Sequence, residues 1–91
     1  MKHLNENCKL IIEKFGTHNQ KKKMIEELAE LSIEIAKDLQ GIGNLNNIIE
    51  EIADVEIMLL QAKIIYDINE KKINDVKIKK MERLGFKNAK L

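Results

Sequence analysis

MIEELAELSIEIAKDLQGIGNLNNIIEEIADVEIMLLQAKIIY, residues 24–66, decides how this chain folds. Apolar residues recur at three- and four-residue steps on both sides of Gly41 and Gly43, with no proline between them, which reads as two long helices joined by a glycine turn. Each helix carries acids three residues apart, Glu27 with Glu30 and Glu51 with Asp54. A three-residue step turns a helix by about 300° and climbs about 4.5 Å, so each pair projects its carboxylates from nearly one side. Brought together, such groups repel, and hard divalent cations that take oxygen ligands are the natural compensators.

Working outward, Leu4, Cys8, Ile11, Ile12 and Phe15 recur at helical spacing ahead of Gly16 and predict a short first helix. Thr17 with Gln20 has the form of a capping box opening a helix over about 18–40. Asn44 or Asn46 caps a third helix to about Tyr66, and Asp67 or Asn69 a fourth ending at Gly85, with a loose tail over 86–91. The expected architecture is therefore all-α: one domain over 1–91, a four-helix-bundle-like subunit built on two long antiparallel acid-bearing helices, assembling as a dimer or dimer of dimers.

Composition agrees. An aromatic content of 3% beside 44% hydrophobic residues suits helices packed on helices better than a sheet sandwich. With a net charge of +1 the chain has no global attraction to nucleic acid or an anionic membrane, and its aromatics, Phe15, Tyr66 and Phe86, are too scattered to stack bases along a strand. The single Cys8 excludes an internal disulfide framework, and Met1-Lys2-His3-Leu4 lacks the apolar core of a signal peptide, so a cytoplasmic location is the expectation. At 91 residues the chain buries a modest fraction of its surface, and the apolar arcs of the second and third helices are wider than one neighbour can cover, which predicts self-association.

The two acid pairs differ in setting. On the second helix Glu27, Glu30, Glu34 and Asp38 share one polar arc, which alone reads as a solvated face. On the third, Glu51 and Asp54 share their arc with Met58, Ala62 and Ile65, while the polar wedge of Glu56, Lys63 and Asp67 lies roughly opposite. Carboxylates on an apolar arc are costly unless paired, protonated or bound to metal. A turn at 41–44 puts Glu30 and Asp54 level, both ~15 Å from it, so antiparallel packing can collect all four acids. On the fourth helix Lys80 falls between Val76 and Leu84 with Lys77 and Arg83 beside it; a snorkelling lysine explains this as well as a phosphate-binding one.

Glu26-Glu27-Leu28-Ala29-Glu30, followed after twenty residues by Glu51-Ile52-Ala53-Asp54, resembles the E-E-x-x-E to E-x-x-D signature of MazG-like nucleoside triphosphate pyrophosphohydrolases, and Lys80-Met81-Glu82-Arg83-Leu84 resembles their C-terminal basic stretch. Ile78 stands where tandem members commonly carry an Asn, and the signature is shared with phosphoribosyl-ATP pyrophosphatase, dimeric dUTPase and dCTP pyrophosphatase, so reaction type transfers better than substrate. The resemblance implies cleavage of a nucleoside triphosphate between its α and β phosphates. It implies Mg²⁺, with Mn²⁺ as a substitute, held by Glu27, Glu30, Glu51 and Asp54; Glu26 or Glu27 as general base; phosphate binding by Lys80 and Arg83; a substrate pocket touched by Gln20 and Lys77; and a homodimer or homotetramer. A di-iron bundle would place histidines within the acid motifs, and His3 and His18 precede both. The rival reading is a non-catalytic helical module for self-association or partner binding.

Overall fold

The computed structural model describes residues 3–90; residues 1, 2 and 91, the last belonging to the expected tail, lie outside them. Among the described residues the chain is all-α, with four helices: α1 Leu4–Phe15, α2 Thr17–Leu39, α3 Leu45–Ile65 and α4 Glu70–Arg83. No helix is long and apolar enough to cross a membrane.

Local chemistry sets the boundaries. Gly16 alone separates α1 from α2 and serves as the α2 N-cap without a side-chain bond, so the Thr17–Gln20 capping box does not form. Thr17 is already helical, and the Gln20 N–H donates to the Gly16 carbonyl at 3.0 Å. α2 closes with the Gly41 N–H on the Asp38 carbonyl and the Ile42 N–H on the Lys37 carbonyl, a Schellman motif that needs the left-handed φ of 82° found at Gly41. Asn44 and Asn69 cap α3 and α4, their side-chain oxygens accepting from the N–H groups of Asn47 and Lys71.

α3 ends in a second Schellman motif, with Asp67 N–H on Ile64 and Ile68 N–H on Lys63, but here the left-handed residue is Asp67, at φ 51°. A side chain in that conformation is strained, so Asp67→Gly is expected to raise stability by roughly 1 kcal/mol in a denaturant titration. An unchanged or lower midpoint would show that the aspartate is stabilised locally.

α2 and α3 form the central antiparallel hairpin and α1 lies across both. Their shared interior holds Cys8, Val55 and Met58, together with the buried polar side chains of Gln20, Glu27 and Gln61. Lys21 Nζ over the Tyr66 ring at 4.8 Å ties the start of α2 to the end of α3. α4 departs from the expected bundle. Its first turn is fixed by Lys63 Nζ to Glu70 Oε2 at 2.8 Å, but beyond it the helix makes almost no close backbone approach to the other three. Its apolar side chains Val76, Met81 and Leu84 are exposed.

The chain is more open than a self-sufficient monomer. Its radius of gyration is 15.7 Å, against about 12 Å for a compact chain of this length. It exposes 7352 Å², where a compact monomer of this mass exposes roughly 5,400 Å². Ile25, Leu28, Ile35 and Leu39 on α2, and Leu45, Ile49, Ile52 and Leu59 on α3, are exposed at steps of three, four and seven residues, the spacing of a helix-packing seam, with Ser32 and Glu56 at the positions between.

Candidate metal centre

Glu27 on α2 and Glu51 and Asp54 on α3 each offer a carboxylate oxygen within 4.8 Å of the others. Glu30 joins them by facing Glu51, on whose proton affinity its charge registers. The facing pairs are Glu27 with Asp54 and Glu30 with Glu51. A turn at 41–44 predicts Glu30 level with Asp54; the observed pairs centre the hairpin between Gln40 and Gly41, about one helical turn from that register.

The solvated reading of the α2 arc fails at Glu27, which is 5% exposed. α3 lies along that arc and takes it out of water. Glu27 Oε2 and Glu51 Oε2 are buried without hydrogen-bond partners among the described residues, as is Glu34 Oε2 two turns beyond Glu27 on α2. Unpartnered buried carboxylate oxygens are rare and costly. Burial pushes the Glu51 carboxyl above the ordinary carboxylate range, with the neighbouring charges of Glu30, Glu27 and Asp54 adding to it. Asp54 is raised by burial and then by Glu27, with Lys23 opposing. Lys23 Nζ lies 3.2 Å from Glu27 Oε1, and that contact holds its ammonium charged beyond the usual lysine range.

These residues fit a hard divalent cation. The donors are all carboxylate oxygens, two of them orphaned, and one lysine does not neutralise four acids.

A pH dependence follows from the same groups. Glu51 and Asp54 hold protons more tightly in the folded chain than at their ordinary 4.5 and 3.8, so without metal the folded state binds more protons than the unfolded one. The stability they contribute is present at low pH and lost as pH rises through the raised folded values. Thermal melts in chelator are expected to show a midpoint that falls as pH rises past the ordinary carboxylate values, with saturating Mg²⁺ flattening the trend. A midpoint that rises over that range would contradict the crowding of these acids.

The other candidates fall elsewhere. Glu26 is 61% exposed in its side chain and touches Lys23 only at 4.0 Å, outside the cluster. Gln20 is buried and lines a cleft beside it with Lys23, Ile11, Phe15, Ile57, Met58 and Gln61. Lys77 and Lys80 border an apolar groove along α4 with Ile68, Ile73 and Val76, and Lys80 and Arg83 flank a shallow depression at Leu84. None of these three cations registers on Glu51 or Asp54. Lys23, Glu34 and Gln61 were not candidates. Lys23 was legible as the residue one turn before Glu27, whereas nothing in the sequence marks Gln61. No protein-family model, curated protein or solved structure matches the chain.

Proposed function

We propose that the chain is a Mg²⁺-dependent nucleoside triphosphate pyrophosphohydrolase of the MazG-like type, releasing a nucleoside monophosphate and pyrophosphate. What carries this reading is the convergence of Glu27, Glu51 and Asp54 with buried carboxylate oxygens that no group among the described residues satisfies. Bound there, divalent cations would neutralise the polyphosphate and lower the pKa of the attacking water.

The chain's own residues do the rest. Glu27, Glu30, Glu51 and Asp54 fix the position of the cations from two helices whose packing limits their movement. Lys23, already pinned to Glu27, brings positive charge to the rim where a phosphate would enter. The proton of the water passes to a glutamate beside the cations, and Glu26, exposed and outside the cluster, would take part only through an intervening water. Lys80 and Arg83 supply further phosphate counter-charge in the assembled oligomer, where α4 has a surface to pack on. Charge stabilisation of this kind is the main requirement of phosphoryl transfer.

A homodimer or dimer of dimers accompanies this reading. The surface in excess of a compact monomer, roughly 1,900 Å², is more than twice the ~800 Å² that a standard interface takes from one partner. The direct test is a panel of ribo- and deoxyribonucleoside triphosphates with Mg²⁺, followed by pyrophosphate release. Turnover of at least one nucleotide, lost in EDTA, is expected. No turnover of any, together with no Mg²⁺-dependent rise in melting temperature, would leave the self-association module as the better account.

A further inference from the structure

Glu56 interrupts the apolar stripe of α3. It is exposed, in line with Ile49, Ile52 and Leu59, and forms no ion pair among the described residues. α4 has a face of the same construction and opposite sign. At about 100° per residue, Ile73, Lys77, Met81 and Leu84 fall within one arc of about 80°. Lys77 is exposed and also makes no ion pair among the described residues, the nearby Glu70 being held by Lys63 at 2.8 Å.

The two faces match in spacing. Laid antiparallel with Glu56 against Lys77, they set Ile52 against Met81 and Ile49 against Leu84, because each apolar residue stands four or seven positions from the charge of its own helix. Leu59 then meets Ile73 within one residue. The charge balance of the chain is complementary as well. Residues 70–91 carry eight Lys and Arg against three Asp and Glu, a net +5, whereas residues 1–69 carry eight against twelve, a net −4. Yet the body of the same chain does not hold α4. Leu59, Ala62, Ile68 and Ile73 line only the base of the groove between α3 and α4, and Met81 and Leu84 are left exposed beyond it.

We propose that the α3 stripe of each molecule is covered by α4 of a second copy, and that Glu56 and Lys77 pair across this two-fold interface and fix its register. In an isologous dimer the contact occurs twice. A slip of one turn would bury both charges without a partner, so a single opposed pair within apolar stripes selects one alignment. The pairing rests on the homo-oligomer of the proposed function and needs no catalytic role. Lys80 and Arg83, to one side of that α4 face, stay available to phosphate.

Charge reversal tests it in sedimentation of the full chain. Glu56→Lys and Lys77→Glu are each expected to raise the dimer dissociation constant about a hundredfold or more, since like charges then meet at both contacts. Both change exposed residues, so the monomers should keep their helical circular dichroism. Mixed one to one, the two variants should form a heterodimer as tight as the parent dimer, because every Lys then meets a Glu. The doubly reversed chain should dimerise by itself. Failure of the mixture to associate while the doubly reversed chain is restored would overturn the proposal in favour of α4 folding back on its own α3. A parent that is oligomeric, and stays so in both single variants, would overturn the pairing and leave self-association standing. A parent that is monomeric would overturn both, and its co-sedimentation with phosphatidylserine vesicles would give the α4 face to a lipid surface instead.

Discussion

Glu51→Gln is expected to lower triphosphate turnover by at least about a hundredfold, the scale set by losing a ligand from a metal-assisted site. In the same protein without metal it should raise the melting temperature. Glu51 has a buried, unpartnered oxygen and faces Glu30, with Glu27 and Asp54 close by, so a neutral amide of equal size removes repulsion and a desolvated charge together. Asp54→Asn should behave alike, and Glu13→Gln, on an exposed part of α1, should change neither property. The opposed signs make the test sharp. A structural carboxylate would lose stability on neutralisation, and a solvated one would show no effect; either result in Glu51→Gln, with turnover retained, would remove the metal centre.

Ile49→Asp is expected to shift the chain to monomer in sedimentation and to lose roughly 3 kcal/mol or more of stability, because a charge would then face a desolvated seam. On a free monomer surface the same change falls within about 0.5 kcal/mol of neutral. Ile49 is exposed on α3 in line with Leu45, Ile52 and Leu59. The parent chain should correspondingly melt at higher temperature as its concentration rises. A concentration-independent melt, with Ile49→Asp indistinguishable from the parent, would mean that the exposed stripes carry no partner.

Most of the secondary structure was legible because punctuation and period agree: Gly16, Gly41 and Gly85 stand at helix ends, and Asn44 and Asn69 were each one of two cap candidates. Thr17 misled, since a capping box needs a non-helical residue at its head and Gly16 already supplies the break. The inward placement of Glu51 and Asp54 could be read from the apolar arc they share with Met58, which is buried. Glu27 could not be read that way, because its burial depends on α3 lying over it, a tertiary fact absent from the pattern of α2. Gln61 left no trace for the same reason, as one polar residue in a helix is ordinarily taken for surface. The position of α4 was beyond periodicity altogether. An apolar stripe states that a helix packs on something, without stating whether that surface belongs to the same chain.

α4 also sets how the molecule resists exchange and proteolysis. It is a helix of 14 residues, near the length at which isolated helices are marginal in water, and its ties to α3 are the Lys63–Glu70 pair and the half-buried Ile73, which lines a groove with Leu59 and Ala62. Its amides should therefore take up deuterium first, and the chain beyond Tyr66 should be the first place a protease cuts in dilute protein. The α3 amides around Val55, Met58 and Gln61 should be last. If raising the protein concentration slows uptake across α4 while leaving α3 unchanged, the order of that helix is conferred by a neighbouring molecule rather than by its own sequence.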